Sequence, residues 1–222
     1  MTKALVIAPH PDDEVIGCGG AILKHRARGD AVTVVTLGCR MRSSVEADIS
    51  EADYEMEQVR AHAALGVTGH VALGLPGRTT AVTHDLLMAL VAIIRTERPE
   101  IFYVPHGGES DADHRRASEA ALEAIWMAQS VYFEEHGPPL APPRLILAYE
   151  VWTPISAFQY VEDISDVIDQ KVAAMACYRS QLRHGPWDQA IRGLGAYRGL
   201  TARGGGYAEV FAVLHLGAAV AA

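Results

Sequence analysis

The segment Ala4-Leu5-Val6-Ile7-Ala8-Pro9-His10-Pro11-Asp12-Asp13-Glu14 decides the fold. Its first five residues form a continuous apolar run with branched side chains, the pattern of a strand buried on both faces in a parallel sheet. Two prolines stop the strand, which empties into one imidazole and three carboxylates. Adjacent acids repel one another and are costly to bury without a partner. A divalent cation resolves that conflict. Histidine nitrogen and carboxylate oxygen both ligate zinc, and a catalytic zinc keeps three protein ligands and one open position. The alternative reading of these residues alone is a solvated acidic turn opening a helix, where Asp and Glu are favoured.

Outward from this segment, strand and helix patterns alternate. A glycine-bearing stretch, Gly17-Cys18-Gly19-Gly20, leads into a helical pattern that stops at Arg28-Gly29-Asp30. Residues 31–37 read as a second strand, 50–65 as a helix, 70–75 as a short strand and 84–97 as a helix. Residues 100–104 read as a fourth strand, 114–129 as a helix, 144–151 as a strand, 163–182 as a helix and 209–215 as a last strand. This alternation predicts an α/β fold: a Rossmann-like, doubly wound, mostly parallel sheet with helices on both faces, in a single domain spanning residues 1–222. In such sheets ligands bind beyond the carboxyl ends of the strands. His10 with its acids follows the first strand, and His106 and Asp111-Ala112-Asp113-His114 follow the fourth. The topology therefore brings both groups to one sheet edge. The proline-rich stretch 137–143 reads as a surface loop, and Arg203-Gly204-Gly205-Gly206 as a mobile loop that could act as a lid.

Composition narrows the function. With 222 residues, 50% of them hydrophobic, the chain has enough material for one well-packed core. A formal charge of −8 argues against a nucleic-acid partner, which requires a basic face. Cys18, Cys39 and Cys177 are an odd number without CxxC spacing, which fits a reducing cytoplasm better than a disulfide framework. The first apolar run is too short for a signal-peptide core, and no membrane span is expected.

The run Ala8-Pro9-His10-Pro11-Asp12-Asp13-Glu14, followed by Gly17-Cys18-Gly19-Gly20, resembles the first motif of the LmbE-like (PIG-L-type) zinc N-deacetylases, departing from it only at Pro9. Asp113-His114 resembles their second motif. The resemblance continues through Leu65-Gly66, Lys171, Tyr178, Ser180-Gln181 and Ala208-Glu209-Val210-Phe211, and so covers nearly the whole chain. It implies removal of an acetyl or other acyl group from an N-acetylglucosamine-type amino sugar, with zinc or another divalent ion as cofactor. It also implies His10, Asp13 and His114 as the metal ligands, Asp12 as general base, and assembly into trimers or hexamers.

Two departures stand out. Many relatives carry H-P-D-H at the second motif, the first His stabilising the oxyanion; here that position is Asp111. His106, in a His106-Gly107-Gly108 arrangement that resembles a subset of the family, is the expected replacement, oriented by Asp113 or Asp111. Relatives also often carry a sugar-gripping Arg early in the helix after strand two, where Tyr54, Glu55 and Glu57 stand here. Arg40, Arg42 and Arg198, with Asp111, are the expected substrate contacts, with Arg60 as a further basic group. His184 is a candidate for the rim of the site, and Trp152, Phe158, Tyr160 and Trp187 for stacking on a sugar ring. The other histidines read as structural or surface groups. Two rival classes stay open. One is a sugar-binding member with altered catalysis. The other is a nucleotide or S-adenosylmethionine binder, for which Gly17 to Gly20 would be the glycine loop.

Overall fold

The computed structural model describes residues 1–38, 46–78 and 81–217. Arg40 and Arg42 therefore lie outside the described residues. Among the described residues the elements run β1 (Lys3–Ala8), α1 (Asp13–Ala27), β2 (Ala31–Gly38), α2 (Glu51–Leu65), β3 (Gly69–Leu75), α3 (His84–Glu97), β4 (Ile101–Pro105), α4 (Ala112–Ala128) and β5 (Leu145–Tyr149). They continue with β6 (Tyr160–Asp163), α5 (Ile168–Met175), α6 (Arg179–Leu182), α7 (Trp187–Arg203) and β7 (Ala208–Leu216). The seven strands form one sheet in the order β3-β2-β1-β4-β5-β7-β6. β1 to β5 are parallel, and β7 is antiparallel to both β5 and β6.

β1 is central because both its faces are apolar. Ala4, Val6 and Ala8 join the core under α1, α2 and α5, while Leu5 and Ile7 join the core under α3 and α4. Side chains two apart share a face of a strand, so this short run seeds both layers. From β1 the chain winds outward to β2 and β3, then crosses back to β4 on the other side. The carboxyl ends of β1 and β4 thus flank the switch point, where ligands of open α/β sheets bind. His10 and His114 arrive there from opposite directions of winding.

The C-terminal third departs from the sequence expectation. The expected helix 163–182 is split into β6, α5 and α6. The break falls at Tyr178, fully buried with its hydroxyl donating to Glu14 Oε1 at 2.6 Å. Helix α7 was not foreseen, because Gly193, Gly195 and Gly199 lower helix propensity. Gly199 is needed there: a Cβ on it would lie 2.0 Å from the Gly206 carbonyl oxygen. The same contact seats one end of residues 203–206, the stretch expected as a mobile loop. They form an exposed turn, tied down by Arg203 on Asp163 at 2.6 Å and by Tyr207 N donating to Ser165 Oγ at 2.9 Å.

The expected surface loop 137–143 ends a longer connection built around a cation. Arg95, buried on α3, donates to the carbonyls of Ala128, Ser130, Tyr132, Phe133 and Gly137 at 2.6 to 3.1 Å. A planar guanidinium can serve five acceptors at once; an ammonium cannot. Arg95→Lys is therefore expected to lower unfolding free energy by about 2–3 kcal/mol in urea titrations and to open residues 129–137 to proteolysis. An unchanged urea midpoint would show that the loop holds its shape without the cation.

Candidate active site

His10 leaves β1 through the Pro9–Pro11 stop, and α1 begins three residues later. Between them Asp12 adopts φ 101°, rare for a residue with a side chain. Such backbone costs about 1–3 kcal/mol and persists only where surrounding structure enforces it. Three bonds enforce it here. The Asp12 carbonyl accepts from Val15 N and Ile16 N at 2.9 and 3.0 Å. Its own N–H donates to Glu14 Oε2 at 3.1 Å. The result places the Asp12 carboxylate in a cleft of about 290 Å³ together with His10 and Asp13.

His114 comes from the first turn of α4, whose N-cap is Asp111: its carboxylate accepts from Asp113 N at 2.8 Å. His10, Asp13 and His114 each offer a ligand atom within 4.8 Å of the others. Asp13 Oδ2 sits between the rings, 3.4 Å from His10 Nδ1 and 3.2 Å from His114 Nε2. His114 is fully buried, yet neither of its ring nitrogens has a hydrogen-bond partner. A buried, unpaired imidazole nitrogen aimed at a carboxylate fits a divalent cation between them.

The surrounding groups strengthen that fit. His10 Nε2 lies 3.1 Å from Asp113 Oδ2, which leaves Nδ1 on the Asp13 side. A carboxylate behind a metal-ligating histidine fixes its tautomer and raises its basicity. Burial opposes charge on His10, yet the Asp13 bond and charge, joined by Asp113, push its imidazole up to about 9. Burial likewise opposes ionisation of Asp13, but the charge of His114, with the hydrogen bond and charge of His10, holds it well below the usual carboxylate range. A field that favours imidazolium also favours a divalent cation.

Other sequence-derived candidates are placed differently. Asp113 orients His10 instead of His106. His106 turns away from the cleft: its Nε2 is 2.7 Å from the Thr153 carbonyl, and its Nδ1 accepts from Gly108 N at 3.2 Å. Arg198 is buried on Glu150, with Nε–Oε1 at 2.9 Å and Nη2–Oε2 at 2.5 Å, and so holds the β5–β6 connection instead of facing substrate. Phe158 lies against the Arg198 guanidinium and Tyr160 against Phe211. Trp152, Trp187 and His184 do line the cleft, the two indoles edge to face at 5.0 Å.

Several functional neighbours were missed in the sequence. Glu109 is buried 3.9 Å from His114 Nδ1 and accepts from the amides of Val151, Trp152 and Thr153 at 2.7 to 3.2 Å. His62, on α2, is 3.4 Å from Glu14 Oε1, behind Asp12. Arg78 lines the cleft and pairs with Asp111. The only sequence signals were an acid after His106-Gly107-Gly108 and an arginine in a Pro-Gly turn, each indistinguishable from a surface residue.

The glycines of the first motif bear on the nucleotide-binding alternative. They lie inside α1, and a Cβ on Gly17 would lie 2.1 Å from the Tyr149 ring. They serve helix–sheet packing and present no phosphate cradle.

A family model described as GlcNAc-PI de-N-acetylase, PIG-L, matches residues 5–125. The chain belongs to the PIG-L family. A diacetylchitobiose deacetylase of Thermococcus kodakarensis is 30% identical over 85% of this chain and 73% of its own. Among solved structures, the N,N'-diacetylchitobiose deacetylase of Pyrococcus horikoshii superposes with a TM-score of 0.81 at 26% identity, covering 96% of this chain and 84% of that one. The 4-carboxy-2-hydroxymuconate hydratase of Pseudomonas putida KT2440 superposes at 0.86 with 25% identity, covering 97% of each chain. The PIG-L membership accounts for both motifs at the β1 and β4 ends. A deacetylase and a hydratase thus share closely similar scaffolds, so the fold alone does not set the chemistry.

Proposed function

We propose that this PIG-L family member is a zinc-dependent N-deacetylase that hydrolyses the acetamide of an amino sugar, sugar nucleotide or glycoside. The observation that carries the reading is the Asp12 carboxylate, held in strained backbone in the same cleft as His10, Asp13 and the switch-point edge. His10, Asp13 and His114 would hold the metal. A bound zinc would supply Lewis acidity toward the amide carbonyl and the attacking water. Asp12 takes a proton from water as the carbon–oxygen bond forms, then returns it to the amine nitrogen as the carbon–nitrogen bond breaks. Asp13, with Oδ2 between two imidazoles, is not available for that transfer. Trp152 and Trp187 give the cleft an aromatic wall against which a sugar ring can pack.

The unpaired cysteine spacing supports a cytoplasmic setting, and no helix among the described residues is long and apolar enough to cross a membrane. Self-association into trimers or hexamers is part of the same proposal, read by sedimentation.

The experiment is acetate release from a panel of N-acetylated amino sugars, with metal content measured in parallel. Chelation is expected to lower the rate at least about 100-fold, and added zinc to restore it. His114→Ala is expected to lose both metal and activity. Full turnover by metal-free protein would overturn the reading. One observation favours a second reading, addition of water to an unsaturated acid: the hydratase of Pseudomonas putida superposes as closely as any relative named above. Water addition to such acids by a chain inert toward every acetamide would select it.

A further inference from the structure

The cleft contains a cation whose role follows from Asp111. At this position an ionised carboxylate would repel negative charge on a substrate oxygen. Burial resists its ionisation, but its bonds to Asp113 N and to the Arg78 guanidinium hold it below the usual carboxylate range. The structure resolves the difficulty through Arg78, which sits just after β3. Its guanidinium Nη1 pairs with Asp111 Oδ2. Its backbone N–H donates at 2.6 Å to Asp113 Oδ2, the oxygen that also lies 3.1 Å from His10 Nε2. Its backbone is held at φ 65°, again rare for a residue with a side chain. One carboxylate therefore ties Arg78 to the metal-site histidine, and a second aims its side chain. Arg78 shares the cleft with His10, Asp12 and Asp13, and its Nε and Nη2 make no hydrogen bond among the described residues. His106, the donor expected from the sequence, has both ring nitrogens engaged elsewhere.

Resting on the deacetylase reading above, we propose that Arg78 is the catalytic residue that stabilises the oxyanion, and that Asp111 is its positioning residue. In the addition step, a water oxygen bonds to the amide carbon and its proton passes to Asp12. The carbonyl π pair moves onto oxygen, and Arg78 N–H groups donate to that oxygen. In the collapse step the pair returns, the carbon–nitrogen bond breaks, the amine nitrogen takes the proton from Asp12, and acetate leaves. A preorganised donor aimed at developing charge is commonly the largest single contribution to such a reaction. The pairing with Asp111 keeps this exposed, flexible side chain from having to be ordered at each turnover.

The test is steady-state kinetics on the acetamide that wild type turns over best. It is accompanied by calorimetric binding of a tetrahedral methylphosphonamidate analogue of that substrate and by metal content. Arg78→Ala is expected to lower kcat by about 10²–10³-fold with KM within about threefold. It should weaken the anionic analogue by a similar factor and leave metal content and the thermal midpoint unchanged. Asp111→Asn is expected to give a smaller loss in kcat, because Arg78 remains but is less well aimed. Placing histidine at 111 in the Arg78→Ala background, as D111H, should recover at least about tenfold in kcat, since a neutral or cationic donor then replaces a carboxylate. A raised KM with unchanged kcat would make Arg78 a ground-state anchor and overturn the proposal, as would equal analogue affinity in wild type and variant. If wild type releases no acetate from any substrate, the deacetylase reading fails first. If wild type is active and Arg78→Ala matches it, only the Arg78 assignment fails.

Discussion

Asp12→Asn lowers turnover by about 10²–10⁴-fold, the usual range for removing a general base, and leaves the metal bound. The expectation rests on how the turn around Asp12 is built. The strained turn is held through backbone atoms: the carbonyl on Val15 and Ile16, and the N–H on Glu14. Asparagine tolerates positive φ better than most residues, so φ 101° survives the change. The metal cluster is built from His10, Asp13 and His114, and Asp12 is not among its ligand groups. The substitution keeps the size and shape of the side chain and removes the carboxylate as proton acceptor. Asp13 cannot replace it, because Oδ2 accepts from His10 N at 2.9 Å and faces both imidazoles. Metal analysis alongside single-turnover acetate release reads both halves of the claim. Loss of the metal, or a rate within threefold of wild type, would remove Asp12 from the role of base.

How much of this was legible in the sequence follows from the distance between partners. β1, β2, β4 and β5 were readable because strands buried on both faces are continuous apolar runs, whereas β3 is an edge strand with every second residue exposed. The cluster of His10, Asp13 and His114 was readable because its members lie in two short local segments, and alternation brings both to one edge. What the sequence hid was supplied from afar. The amides that fix Glu109 come from 151–153. The carboxylate that takes Arg198 is Glu150. Asp113 reads as an orienting acid, but its partner is His10, more than a hundred residues earlier, and not nearby His106. Arg78 gave no signal because its importance lies in a positive φ and two carboxylates across the sheet. Helix α7 was hidden by glycines that oppose helix formation, one of which is required by contact with Gly206. In each case local chemistry was visible while the geometry that redirects it was not.

Lys171→Met should destabilise the chain by about 3–5 kcal/mol, the range for stripping one member from a buried ion pair. That is a large share of the roughly 5–15 kcal/mol that holds a domain together. The pair exists because α1 is broken. Cys18 has φ −146° and ψ 20° inside the helix, which disrupts the ladder of hydrogen bonds on either side. Lys171 Nζ donates to the Ile16 carbonyl at 2.9 Å and to Glu209 Oε1 at 2.6 Å. Glu209 in turn accepts from Gly20 N and Ala21 N at 2.7 and 2.8 Å. Two charged side chains from α5 and β7 thus stand in for missing helical bonds, and both are nearly fully buried. Methionine fills the volume of lysine but leaves the Glu209 charge and the Ile16 carbonyl without it. Glu209→Gln keeps one acceptor for the amides and should cost less than Lys171→Met. The double variant should cost less than the sum, because each single change already strands the other's partner. Additive losses in urea titrations would mean that the two residues act independently and that the break is supported by backbone alone. The N-terminal half of α1 carries Asp13, so loosening at the break should also weaken metal affinity while leaving the cleft residues chemically intact.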